Sequence, residues 1–194
     1  MNELQRLKAA FRRRLLAARA AVADPAGASA RIRETVLALP AVRDAGTVFC
    51  FISWKSEVDT HALIDALRAA GKRVVVPRIL GGRMIAVPFE GWEHLVPGVL
   101  GIPVPPGTDP WEGPVDVVIT PGLGFGPDGS RLGYGKGYYD GWFAEHPAPW
   151  RIAIGFACQV VPDLPAGPRD ARVDLIVTED GITETKARPP GPAP

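Results

Sequence analysis

The chain has 194 residues, 46% of them hydrophobic and 22% charged, with a formal net charge of +1. That length supports one sizeable domain with its own core, and the near-neutral charge argues against a broad nucleic-acid surface, though not against a local basic patch. No apolar run approaches a membrane span, no secretory signal pattern opens the chain, and the two cysteines, Cys50 and Cys158, read as reduced core residues in strand-like runs.

Residues 3–22 predict an amphipathic helix with Leu4, Leu7, Phe11, Leu15, Ala18 and Val22 on its core face. The arginine-rich start lacks the serines of a transit peptide, and a packing helix explains it better. Lys8, Arg12 and Arg19 fall within about 40° of one another at 100° per residue, with Gln5 beside them, so they line one stripe. Such a stripe is either a solvated face or a row of cations aimed at an anion. Asp24-Pro25-Ala26-Gly27 is expected to end this helix, and residues 28–39 to form a second, carried by Ile32, Val36, Leu37 and Leu39 and closed by Pro40.

Thr47–Ile52 reads as a buried strand, residues 53–60 as a loop, His61–Ala70 as a helix and Arg73–Val76 as the next strand. This is a βαβ unit with parallel strands and a right-handed connection. Ligands in such sheets sit beyond the carboxyl ends of strands, and Glu57 lies on that edge. Glu57 also reads as a plain surface or helix-start acid, and Asp59 and Thr60 as N-cap candidates.

Pro77–Phe89 predicts a hairpin turning at Gly81-Gly82. Residues 90–114 are rich in Gly and Pro, yet Leu95, Val99, Leu100 and Ile102 mark an ordered excursion. Val115–Thr120, Trp150–Phe156 and Asp174–Thr178 read as further strands, the last of them closing the sheet, and residues 187–194 as a Pro-rich disordered tail. The pattern predicts a single domain over 1–186, an α/β fold built on one open, mostly parallel sheet flanked by helices, with a hairpin insertion.

The chemistry concentrates in Pro121–Asp140. The run Gly122, Gly124, Gly126, Gly129, Gly133, Gly135 and Gly137 leaves a backbone open enough to turn its amides around an anion. Arg131 and Lys136 add positive charge. Tyr138, Tyr139, Trp142 and Phe143 predict a short helix whose N-terminus faces the same anion. Asp140, in its first turn, can hold a cation against a phosphate. The loop is not a Walker A sequence, because no Ser or Thr follows the lysine, and it is not a dinucleotide fingerprint. Asp174 alone is a strand-start residue; paired with Asp140 it becomes a candidate magnesium ligand. His61, His94 and His146 show no metal-ligand spacing, and no nucleophile elbow is present.

Arg131-Leu132-Gly133-Tyr134-Gly135-Lys136-Gly137-Tyr138-Tyr139-Asp140 closely resembles the signature of the 5-formyltetrahydrofolate cyclo-ligases, also called methenyltetrahydrofolate synthetases. Glu57-Val58-Asp59-Thr60, Pro77-Arg78, Pro121-Gly122-Leu123 and Val173–Thr178 are similar to other blocks of that family, and Lys8 with Arg12 matches a weaker one. The resemblance implies a Rossmann-like open sheet of the sugar-phosphate isomerase and CoA-transferase kind. It implies a cytoplasmic enzyme, a monomer or weak homodimer, that uses ATP and magnesium to convert 5-formyltetrahydrofolate to 5,10-methenyltetrahydrofolate, with no nucleic-acid or membrane partner. Lys8 and Arg12 then reach the nucleotide phosphates. Arg131, Leu132, Gly133, Tyr134, Gly135, Lys136, Gly137, Tyr138 and Tyr139 wrap ATP, and Tyr134 to Tyr138 also touch the folate. Lys136 and Arg131 act on the transferred phosphoryl group, Asp140 and Asp174 hold the metal, and Ile52 and Glu57 contact the pterin. Gly126 stands where the family often has Asp; either the chain does without that carboxylate or Asp128 supplies it. Two other classes remain open on the residues: a non-catalytic nucleotide- or RNA-binding relative, and a sugar-phosphate isomerase-like enzyme needing no ATP.

Overall fold

Helix α1, Glu3–Ala20, begins at Asn2, whose side chain accepts the Gln5 N–H, satisfying one orphan donor of the first turn. A computed structural model describes this helix and the rest of residues 2–98, 101–147 and 149–185. Val99, Leu100 and the tail at 187–194 lie outside the described residues. The inward face of α1 differs from its apolar spacing. Leu15 is buried, but so are Lys8 and Arg19, whereas Leu7 is 47% exposed. The basic stripe turns inward because carboxylates meet it there: Asp170 pairs with Lys8, and Glu57 with Arg19.

The Asp24–Gly27 segment starts a helix rather than only ending one. Asp24 accepts the Gly27 N–H and caps α2, Pro25–Ala38, with proline in the first turn, where its missing N–H forfeits no intrahelical bond. Pro40 opens a short α3, Pro40–Asp44. The βαβ unit is β1, Thr47–Cys50; α4, His61–Ala69; and β2, Arg73–Leu80. Strand β2 runs straight on through Pro77 into the hairpin with β3, Arg83–Pro88. Gly81 and Gly82 both have positive φ, 57° and 80°, as a two-residue primed turn requires.

Within the excursion, β4, Val96–Pro97, pairs with β5, Pro103–Val104, and Leu95 packs on the core. Strand β6, Val117–Thr120, is buried at every position. The glycine loop after it is half folded: β7, Gly124–Phe125, pairs antiparallel with β8, Arg131–Leu132. Helix α5, Tyr138–Glu145, then leads to β9, Trp150–Ile154, and β10, Leu175–Thr178. In the main sheet one strand departs from the expected set: β11, Gly181–Glu184, folds back antiparallel on β10. Its half-exposed residues carry no apolar run; the two-residue turn ahead of Gly181 is the signal that marks it. Cys50 is buried as expected, but Cys158 is exposed, in the short 3-10 turn Ala157–Gln159.

The main sheet has the order β11-β10-β9-β6-β1-β2-β3, with β10, β9, β6, β1 and β2 mutually parallel. The expected open α/β architecture is therefore present. Side chains of the central strands alternate between two cores. On one face Val48, Cys50, Val117 and Ile119 pack with Ile32 and Val36 of α2 and with Leu63, Ile64 and Leu67 of α4. Phe49 and Val118 point the other way, onto Trp142 and Phe143 of α5. The strand order reverses between β1 and β6, so the loops leaving their carboxyl ends, 51–60 and 121–137, flank the crevice where open α/β sheets take their ligands.

Gln159 ties the glycine loop to the exit of β9. Its side-chain amide donates to the Gly122 and Leu123 carbonyls at 2.9 and 3.1 Å and accepts the Phe156 N–H at 2.9 Å, with the residue 1% exposed. Replacing Gln159 by Leu strands these buried groups, so urea unfolding of Gln159→Leu is expected to show a loss of roughly 2–4 kcal/mol.

Candidate active site

Apart from its exposed hairpin tip at Pro127-Asp128, the glycine loop is open over Gly133–Gly137. Ahead of that stretch, Phe125 and Leu132 are buried and anchor the β7–β8 hairpin. Gly135 has φ +95°, and a Cβ built there would come within 3.0 Å of Arg12 Nη2. Glycine is favoured at this position by the backbone conformation, and a side chain there would also press on the guanidinium beside it. Arg12 Nε donates to the Gly133 carbonyl at 2.8 Å, which brings α1 onto the loop across 121 positions of sequence.

The cations of the site differ in their partners. Lys8 is buried and paired with Asp170, which also accepts the Gly167 N–H. Arg131 is buried; its Nη2 donates to Asp140 Oδ1 at 2.8 Å, and its Nε has no hydrogen-bond partner among the described residues. Its guanidinium lies 5.4 Å from the ring centroid of Tyr139, whose buried hydroxyl likewise finds no partner among the described residues. Burial pushes the Tyr139 phenol well above its usual range, so it stays a protonated donor. Thr120, at the end of β6, holds another buried hydroxyl with no partner among the described residues. Lys136 is exposed, and neither it nor Arg12 has a carboxylate partner among the described residues.

Glu57 stands across the crevice. Its Oε2 accepts the Trp54 N–H at 2.9 Å, and its Oε1 lies 3.4 Å from the Tyr134 hydroxyl and 3.7 Å from Arg19 Nη1. Burial raises the Glu57 carboxyl, and the Trp54 N–H, Arg19 and Tyr134 offset only part of that rise. Ile52 is buried in the main core at the exit of β1. Leu132 likewise packs on Leu15 and Leu164, and Tyr138 is half-buried against the core under α5. Asp59 accepts the His61 N–H at 3.0 Å, while Thr60 takes the N-cap position of α4 without a side-chain cap.

The two aspartates expected to share a metal lie in different places. Asp140 Oδ1 accepts from Arg131 and from the Ala171 N–H, and its side chain is 28% exposed. Asp174 stands at the amino end of β10, where it accepts the Arg151 N–H at 2.8 Å. The crevice lies beyond the carboxyl ends of these parallel strands, so Asp174 faces the other edge of the sheet. Asp170, four residues earlier, is the carboxylate that the chain brings to the site. It pairs with Lys8, feels the charge of Arg131, and directly precedes the residue whose N–H Asp140 accepts. Among the described residues no group of three or more metal-capable side chains forms. Asp140 and Asp170 are the carboxylates at the loop that could hold a magnesium ion, which is usually bound by one or two carboxylates completed by substrate phosphates and water.

The Gly126 departure has a steric answer. A Cβ at Gly126 would meet Ser130 Oγ at 2.3 Å and Asp128 Oδ1 at 2.7 Å. Asp128 and Ser130 therefore occupy the space that a side chain at 126 would enter. Sequence reasoning missed Asp170 and Ser56, which no local pattern marks. Arg19 was visible only as a member of the stripe.

The fold and the site together define an open α/β protein with a cation-lined glycine loop at its switch point. Residues 5–179 match the model of the 5-formyltetrahydrofolate cyclo-ligase family, and the chain belongs to that family. The 5-formyltetrahydrofolate cyclo-ligase of Escherichia coli (strain K12) is 32% identical over 160 residues, covering 77% of this chain and 86% of its own. That of Mus musculus is 28% identical over 167 residues, covering 77% and 81%. The NMR structure of Aquifex aeolicus 5,10-methenyltetrahydrofolate synthetase matches with a TM-score of 0.82 at 25% identity, over 96% of this chain and 97% of that one. The Mycoplasma pneumoniae synthetase gives 0.72 at 25% identity, over 89% and 98%.

Asp128 supplies a pH test of the loop. Burial alone raises its carboxyl, but Ser130 and the Arg172 guanidinium outweigh that and hold it down at about 2. A depressed carboxyl stabilises the fold above its unfolded value and loses that contribution as pH falls through the folded one. The urea midpoints of wild type and Asp128→Asn are expected to differ at pH 5 and to converge between about pH 4 and pH 2. The difference is small, because the side chain is 54% exposed and screened by solvent.

Proposed function

We propose that the chain, over residues 1–186, catalyses ATP-dependent closure of 5-formyltetrahydrofolate to 5,10-methenyltetrahydrofolate, releasing ADP and phosphate. The observation that carries this reading is the unpaired charge at the loop. Arg12 and Lys136 lack carboxylate partners among the described residues; Arg12 lies against Gly133–Gly137 and Lys136 within it, at the switch point, in a chain of this family. Phosphate oxygens would complete that arrangement, and would also satisfy Arg131 Nε and the Tyr139 hydroxyl.

A formyl oxygen is a poor leaving group. In the proposed reaction it attacks the γ-phosphorus, the bond to the β-phosphate oxygen breaks, and ADP departs. N10 then attacks the activated formyl carbon, a step favoured by its intramolecular placement. The carbon–oxygen bond breaks, phosphate leaves with the former formyl oxygen, and N10 loses its proton. Lys136 and Arg131 stabilise charge on the transferred phosphoryl oxygens. Lys8 and Arg12 position the nucleotide, and Glu57 orients the pterin. Asp140, with Asp170 in the place expected of Asp174, would hold magnesium, which when bound withdraws charge from the phosphates. The reading needs two small-molecule substrates and no macromolecular partner.

Substrate carrying heavy oxygen in its formyl group is expected to give one labelled oxygen per inorganic phosphate. Label appearing in water during real turnover would sink the phosphorylated intermediate, and turnover without ATP would sink the reaction. Lys136→Ala is expected to lower kcat by roughly a hundredfold, as loss of one preorganised donor does; near-normal kcat in the folded variant would remove Lys136 from the chemistry.

A further inference from the structure

Arg19 lies near the carboxyl end of α1, and the proposed chemistry gives it no role. Its guanidinium nevertheless touches three groups from two loops. Nε donates to Ser56 Oγ at 3.2 Å, Nη2 donates to the Tyr134 hydroxyl at 2.8 Å, and Nη1 lies 3.7 Å from Glu57 Oε1. The Arg19 side chain is 2% exposed and that of Glu57 9%. Ser56 and Glu57 belong to the loop after β1, Tyr134 to the open part of the glycine loop. The two loops leave opposite sides of the switch point, and the Tyr134 hydroxyl also donates to Glu57 at 3.4 Å.

A buried guanidinium offsets its desolvation only when its donors are matched, and its planar fork fixes the directions of its partners. Here the fork hydrogen-bonds Ser56 and Tyr134 and sets its charge 3.7 Å from one oxygen of Glu57, while the Trp54 N–H holds the other. It also tethers Tyr134, a residue 55% exposed, by its hydroxyl alone. Lys8 and Arg19 are separated by eleven positions, or about 16 Å of helix. One helix therefore carries nucleotide-directed cations at its start and this clasp near its end.

We propose that Arg19 is a positioning residue for the folate half of the site: it clasps the Tyr134 hydroxyl to Glu57 and so sets affinity for the reduced folate far more than for the nucleotide, which Tyr134 is also expected to border. The proposal rests on the cyclo-ligase reading above. Without the clasp, Glu57 keeps its backbone donor but loses its fixed orientation, and Tyr134 swings with the exposed loop.

The test compares wild type, Arg19→Lys, Arg19→Met and Tyr134→Phe, varying each substrate at saturating levels of the other. In Arg19→Lys the KM for 5-formyltetrahydrofolate is expected to rise about tenfold, the scale of a lost charge-assisted hydrogen bond, while the KM for ATP stays within about twofold. Arg19→Met should exceed that rise, and adding Tyr134→Phe to it should cost less than Tyr134→Phe alone, because the two share one interaction. Equal rises in both KM values, or an unchanged folate KM in folded Arg19→Lys, would overturn the proposal. If neither Arg19 variant folds, Tyr134→Phe decides: a selective rise in folate KM supports the clasp, and no rise overturns it. If wild type makes no methenyl product, the cyclo-ligase reading fails separately. Tryptophan fluorescence on adding 5-formyltetrahydrofolate then reads the clasp, with equal affinity in wild type and Arg19→Lys overturning it.

Discussion

The pairing of β1 with β6 is the constraint on which the site depends. Val48, Phe49 and Cys50 lie opposite Val117, Val118 and Ile119, all of them buried. Chain connections run outward from this pair in both directions, so it creates the crevice and sets the heights of the two loops that flank it. A slip of one residue would shift Glu57 against the glycine loop by about 3.3 Å and turn every paired side chain to the wrong face. Cores on both faces of the sheet oppose such a slip.

Charge is organised around that crevice by pairing. Lys8, Arg19 and Arg131 are buried, and each meets a carboxylate: Asp170, Glu57 and Asp140. Buried cations without such partners would carry a large desolvation cost. Removing one member of such a pair leaves the other uncompensated, which makes these contacts sensitive to mutation whatever their net contribution to stability. The carboxylates come from three separate parts of the chain, so the site assembles only when the sheet does.

The glycine loop combines two kinds of backbone. Its first half is a hairpin held by Phe125, Leu132 and the Gln159 amide. Its second half is open, bent by Gly135 and Gly137 at positive φ, and leads into α5. A rigid base beneath an open rim lets the loop hold its place while its amides and Lys136 remain accessible.

Much of this protein is legible in its residues alone. Apolar runs mark β1, β6, β9 and β10, because strands buried on both faces need continuous hydrophobic character. The Gly81-Gly82 turn and the run Arg131–Asp140 are local patterns, and local patterns survive in a linear reading. The weakly apolar β11, the inward turn of Lys8 and Arg19, and the exposure of Leu7 and Cys158 are not local. Nor is the choice between Asp170 and Asp174, which depends on which end of β10 faces the crevice. A helix face is inward or outward according to what packs against it, and the polar partners of α1 include Ser56, Glu57, Gly133, Tyr134 and Asp170, far along the chain. The sequence by itself therefore determined the sheet, the loop and the kinds of group available. Only the tertiary structure decided which cation meets which carboxylate, because that depends on contacts between segments that the chain keeps far apart.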